Sequence, residues 1–266
     1  MENTKIKKIN LKSLIGYVAL LFVCLSLANA KVCGISPFLF AFLFACIFVG
    51  VNEKVMAGFC LASAVVVDLS LESFLIALTS VAVCLINYYI HRLIKRKINL
   101  ATNICVYLLS LCTYIYYNFH NVWNLCAYLV LGLISLWVFT CVCQVMILRR
   151  NCFKLTLDET ICFLFAIAVL GLGVATVDIF GFEVYKLVLM LTIFVSVSVG
   201  NATLTFALTL AFGSGVAIGL NSLLPIAEFA IISLLCGMFS MPNKVKICIS
   251  ALLGASFVEL YFVGVN

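Results

Sequence analysis

Glu228 and Glu259 stand inside long apolar runs, and by type and setting they are the residues of this chain best suited to do chemistry. An ionised side chain at the centre of a membrane helix costs roughly 2.5–3.5 kcal/mol on insertion scales, so one kept there usually serves proton or cation movement. Both glutamates lie near the ends of their segments, and no lysine or arginine inside a span stands ready as a partner. The ordinary reading is a pair of interfacial carboxylates. The sharper one is a proton or cation site between the last two segments.

Fourteen cysteines and two histidines invite a metal or redox reading. Cys24, Cys46, Cys60, Cys84, Cys105, Cys112, Cys126, Cys162, Cys236 and Cys248 all fall inside apolar runs, where cysteine acts as a small hydrophobe. Cys141-Val142-Cys143 is the tightest spacing, and it lacks the second pair or adjacent histidine of a tetrahedral zinc site. His91 beside Arg92 at a helix end, and His120 between Asn118 and Asn121, read as interfacial. Asp68, Asp158 and Asp178 are the only aspartates, and no Ser-His-Asp set, phosphate loop or His-Glu-x-x-His is present. The sequence therefore assigns no catalytic residue, no cofactor-binding residue and no metal ligand, and these residues read as non-enzymatic.

The elements that carry these groups follow from composition. Apolar residues make up 66% of the 266, charged residues 10%, and there are three prolines, which no soluble domain of this size approaches. The expectation is an all-α polytopic membrane bundle of about nine to eleven transmembrane segments with no soluble domain, a single multi-spanning region over residues 1–266. Its segments cover 14–27, 36–51, 55–67, 74–90, 104–117, 122–148, a helix capped by Thr156 and running to Val177, then 184–200, 201–220, 226–241 and 247–263. Those at 36–51 and 55–67 are short against the ~20 residues a crossing needs, so they read either as full spans at a thin point or as a re-entrant hairpin. Residues 1–30 also read two ways. Ala28-Asn29-Ala30 has the form of a signal-peptidase site, but a second apolar segment follows almost at once, and an uncleaved first span is preferred.

Loop charge gives the orientation. With the N-terminus in the cytoplasm, the inner side holds Lys5, Lys7, Lys8, Lys12, Lys54, Arg92, Lys95, Arg96, Lys97, Arg149, Arg150, Lys154, Lys244 and Lys246, and the outer side only Lys31 and Lys186. Tyr114, Tyr116, Tyr117 and Trp123 cluster near the outer joint at 118–121, as aromatics do at a lipid boundary. The net charge of +6 thus reports topology, and nucleic acid is not an expected partner. Gly200, Gly213, Gly215, Gly219 and Gly237 punctuate the later segments, and Gly215 and Gly219, four apart, read as a seam where two helix backbones approach closely.

The order of features from 149 to 260 resembles the N-terminal membrane region of the stage II sporulation protein E family, septal phosphatases of endospore-forming bacteria. The features are the basic loop Arg149 to Lys154, Asp158-Glu159 leading into Ile161-Cys162-Phe163, the glycine-rich stretch from Gly200 to Gly219, and Ser233-Leu234-Leu235-Cys236-Gly237 followed by Lys244 and Lys246. Residues 1–148 match only in hydropathy and loop charge. The resemblance implies a membrane anchor that self-associates, meets the cell-division machinery at the septum, and carries a phosphatase domain beyond the bundle. Manganese or magnesium is implied only for that domain, whose aspartate set these residues lack. A small-solute or ion transporter is the second reading; it would need broken helices at midplane and matching halves, and the first half holds no counterpart of the Gly200 to Gly219 stretch.

Overall fold

A computed structural model describes residues 11–95, 98–148, 155–179, 181–198 and 202–238. Among them the chain forms eleven helices: α1 (Leu11–Asn29), α2 (Phe38–Val49), α3 (Glu53–Val67), α4 (Leu71–Leu93), α5 (Leu100–Ser110), α6 (Cys112–Asn118), α7 (Val122–Leu148), α8 (Leu157–Val174), α9 (Val184–Ser198), α10 (Ala202–Leu220) and α11 (Leu224–Met238). Two-residue strands, β1 (Asp178–Ile179) and β2 (Phe182–Glu183), pair antiparallel between α8 and α9. The fold is an all-α helical bundle.

Short polar residues set where the helices begin. The Asn52 side chain accepts hydrogen bonds from the amides of Lys54 and Val55 at 3.1 and 3.4 Å, and Ser70 Oγ accepts from the Ser73 amide at 3.2 Å. Thr156 and Glu159 form a reciprocal capping box, with the Glu159 carboxylate accepting from the Thr156 amide at 2.8 Å and Thr156 Oγ1 from the Glu159 amide at 3.4 Å. The end of α2 is set by Gly50, whose φ of 99° lets its amide turn back to the carbonyls of Cys46 and Ile47. The segment expected at 104–117 breaks at Leu111 into α5 and α6, which together run from Leu100 to Asn118.

The core is organised around α2. Its twelve residues hold no polar side chain, a composition that suits protein or lipid on any side, and here other helices surround most of it. It packs chiefly on α7 and also touches α1, α3, α4 and α5. Phe42 meets Phe139 edge to face at 5.6 Å between centroids, and Phe44 meets Tyr107 at 5.4 Å. At 1.5 Å per residue α2 is ~18 Å long, well short of a ~30 Å hydrocarbon layer. Its first turn is buried, with Phe38 and Leu39 covered by protein, while Gly50 beyond its last residue is exposed.

A second apolar cluster joins the end of α8 to α9, α10 and α11 through Val174, Leu189, Ile193, Phe212, Val216 and Phe229. Among the described residues four helices are long and apolar enough to cross a membrane: Leu71–Leu93, Leu100–Asn118, Val122–Ile147 and Leu157–Val174. Their outer faces leave Ile86, Leu109, Ile134, Trp137 and Ile161 exposed, a surface suited to lipid and costly in water. These are the marks of a membrane protein.

Candidate functional site

Loops far apart in sequence come together at one end of the bundle. The end of α1 and the turn after it, the end of α3, the start of α4, the end of α6 and the start of α7 enclose a cleft of about 290 Å³. Lys31 reaches it from the α1–α2 turn, Asp68 and Glu72 from the α3–α4 connection, Tyr114 and Asn118 from α6, and Asn124 and Tyr128 from α7. This is also the end at which α1 joins α8: Asn29 Nδ2 donates to the Gly173 carbonyl at 2.8 Å and to Thr176 Oγ1 at 3.0 Å.

The cleft carries charge of both signs. Asp68 Oδ2 accepts from the Ser73 hydroxyl at 2.6 Å and Oδ1 from the Ser70 amide at 3.0 Å. Those two bonds, in that order, hold the Asp68 carboxyl below the usual carboxylate range, and the positive charge of Lys31 adds to them. Glu72 Oε1 accepts a 3.4 Å hydrogen bond from Asn118 Nδ2. Lys31 makes no ion pair with either carboxylate, whereas at the β2–α9 junction Lys186 closes on Glu183 at 2.8 Å. The Tyr128 ring stacks on Tyr114 with centroids 3.9 Å apart. Tyr128 is 2% exposed, and its hydroxyl has no hydrogen-bond partner. Leaving such a group unsatisfied costs about 1–3 kcal/mol. Burial, charge and an orphan donor point to a place that binds something small and polar. Among the described residues no group of three or more metal-ligating side chains assembles.

The glycines form a different feature, the seam between α8 and α10. A methyl group at Gly215 would run into the main-chain oxygen of Ala168 and lie 2.9 Å from the Leu172 nitrogen. At Gly219 it would lie 2.5 Å from Ala175 Cβ, and at Gly213 2.7 Å from the Phe229 ring. Gly171 and Gly173, which the sequence reading passed over, are equally enclosed, against the Phe212 carbonyl of α10 and the Ser26 carbonyl of α1. Two residues apart on a helix is ~200° of rotation, so these two glycines serve different neighbours. That spacing was the signal.

Glu228 sits one turn into α11 and acts electrostatically on Tyr185, whose hydroxyl donates to Glu183 at 2.9 Å. It therefore belongs to a polar group at a helix end. Arg92 and Lys95 lie at the end of α4 and just past it, and His91 Nδ1 pairs with the Asn87 carbonyl at 3.0 Å. Gly237 falls in the last turn of α11. Gly200, Arg96, Lys97, Arg149, Arg150, Lys154, Lys244, Lys246 and Glu259 lie outside the described residues. Cys46 and Cys143 approach to 3.7 Å between sulfurs as free thiols in the core, and Cys105, Cys112 and Cys126 face outward. No family model, no characterised protein and no solved structure matches this chain.

Proposed function

We propose that this chain is a membrane anchor and assembly bundle, and that what it holds in place is a regulatory serine phosphatase at the division septum, as its resemblance to the stage II sporulation protein E family implies. In this reading the chain crosses the cell membrane many times with its N-terminus in the cytoplasm, associates with copies of itself, and meets cell-division proteins. It performs no catalysis through these residues.

The observation that supports an anchor best is the α8–α10 seam. Main chain lies against main chain at Gly171 and Gly215, so α8 and α10 pack as one rigid pair, as a static bundle requires. The topology draws support from the cleft, because alternating crossings require residues 31, 68, 72, 118 and 124 to share one end.

The test is a fluorescent fusion of the full chain expressed in a sporulating host, with the purified chain assayed in vesicles. Septal enrichment and no proton or solute flux are expected, and Glu228→Gln should leave membrane abundance and self-association unchanged. Uniform membrane distribution would remove the septal role. Robust flux abolished by Glu228→Gln would replace the anchor with a transporter.

A further inference from the structure

The cleft at the outer-loop end belongs to no part of an anchoring role. We propose that it binds a small zwitterion, with the ligand's ammonium against the carboxylates of Asp68 and Glu72, its anionic group against Lys31, and a hydrogen bond to the Tyr128 hydroxyl.

Three independent features carry this. The first is charge arrangement. Lys31, Asp68 and Glu72 line one cleft, and Lys31 acts on Asp68 through its charge without closing an ion pair on either acid. Opposite charges that line one cleft without closing on each other present complementary ends to a molecule that carries both signs. A simple cation would leave Lys31 repelling it, and a simple anion would face two carboxylates.

The second is the hydroxyl of Tyr128. Its ring lines the cleft and is buried, and its oxygen has neither a donor nor an acceptor within the protein. The neighbouring polar groups do not share this condition: Asp68 takes hydrogen bonds from Ser70 and Ser73, and Glu72 takes one from Asn118. Buried hydroxyls without a partner also occur at Ser63, Ser80 and Tyr107, and Tyr128 is the one whose side chain lines this cleft. The stacked Tyr114–Tyr128 pair adds an aromatic wall, which an ammonium group favours over an aliphatic one.

The third is size. A cleft of about 290 Å³ lies at the small end of ligand pockets and suits a solute of roughly ten non-hydrogen atoms. Two sources offer that chemistry at the end of a membrane bundle, a free amino acid from solution and the headgroup of an ethanolamine phospholipid. Each places a primary ammonium a few atoms from an anionic group.

The experiment uses the full chain purified in nanodiscs of phosphatidylglycerol and phosphatidylcholine, titrated separately with isotope-labelled glycine, alanine, serine and glutamine. A parallel arm adds phosphatidylethanolamine to the disc and counts retained lipid by native mass spectrometry. Saturable binding in one arm is expected, and the arm that responds names the source. Lys31→Gln, Glu72→Gln and Tyr128→Phe should each weaken it at least tenfold, while ethylamine or propionate, each carrying one of the two charges, should bind at least tenfold more weakly than the amino acid. Tyr128→Phe removes only the unpartnered oxygen, so its unliganded melting temperature should not fall, which separates lost binding from lost fold. No saturable binding in either arm, binding indifferent to both Lys31→Gln and Tyr128→Phe, or equal binding of ethylamine would overturn the proposal.

Discussion

Replacing Gly215 by alanine adds one methyl group where α10 meets the backbone of α8. That methyl would run into the Ala168 carbonyl oxygen, with the Ala168 carbonyl carbon 2.8 Å and the Leu172 nitrogen 2.9 Å away. All three are main-chain atoms of one helix, so no side chain can rotate aside and the helices must separate. Overpacking costs about 1–3 kcal/mol, and a backbone wall puts this site at the upper end. Alanine recovers ~1 kcal/mol of helix propensity over glycine, leaving a net loss of about 2 kcal/mol. That is roughly a 30-fold shift in the folding equilibrium. Gly58 supplies the internal control, since a methyl there meets nothing within 4 Å and the residue is exposed on α3. Gly58→Ala should therefore stabilise by up to ~1 kcal/mol, through propensity alone. Gly213→Ala should fall between the two, because the Phe229 ring it meets can shift. Reversible unfolding in mixed micelles, followed by tryptophan fluorescence, gives the ranking. If Gly215→Ala proved as harmless as Gly58→Ala, the two backbones would not be in contact and the reasoning from the seam would fail.

Two further outcomes can be checked, one on the purified chain and one in intact cells. The Asp68 carboxyl is held below its ordinary range by Ser73 and then Ser70, so its contribution to stability is complete above the unfolded value near ~3.9 and is lost as pH falls through the lower folded value. Asp68→Asn should flatten the acid limb of the melting-temperature profile over that window, and an unchanged limb would show that the carboxylate is not so held. In a cysteine-free background, Asn121→Cys should react with an impermeant thiol reagent in intact cells while Arg92→Cys should resist it. The reverse pattern would invert the topology.

How much of this could be read beforehand varies with the kind of signal. Helix positions were legible because apolar runs, loop charges and caps act locally: Thr156 and its partner Glu159 stand three apart in the sequence as in the capping box. The place of α2 was not, because the segment at 36–51 was short for a crossing and read either as a full span or as part of a re-entrant hairpin. Its central place comes from the helices that pack around it, which an all-apolar composition shared with lipid-facing spans does not announce. The break at Leu111 was likewise hidden, since no proline or glycine stands there to announce it. The cleft was the least legible. Lys31 and Asn118 were each assigned to the outer side or its edge, but hydropathy sorts residues by depth and says nothing of which loops adjoin around the bundle. The orphan state of the Tyr128 hydroxyl depends on every neighbour it does not have, and no local pattern encodes that.

The enclosure of α2 also sets a problem in time. Its main partner, α7, begins about 70 residues after α2 ends, and at ~5–20 residues per second a ribosome needs roughly 4–15 s to supply it. Through that interval a helix too short to span the hydrocarbon on its own, and without a polar residue to hold it at the surface, has none of its final shelter on that side. Something must shield it meanwhile, whether the hairpin it forms with α3 or the insertion machinery itself. A ribosome stalled before Val122 would leave α2 stranded, and a polar residue placed on it would act on the order of insertion before it acted on the finished bundle.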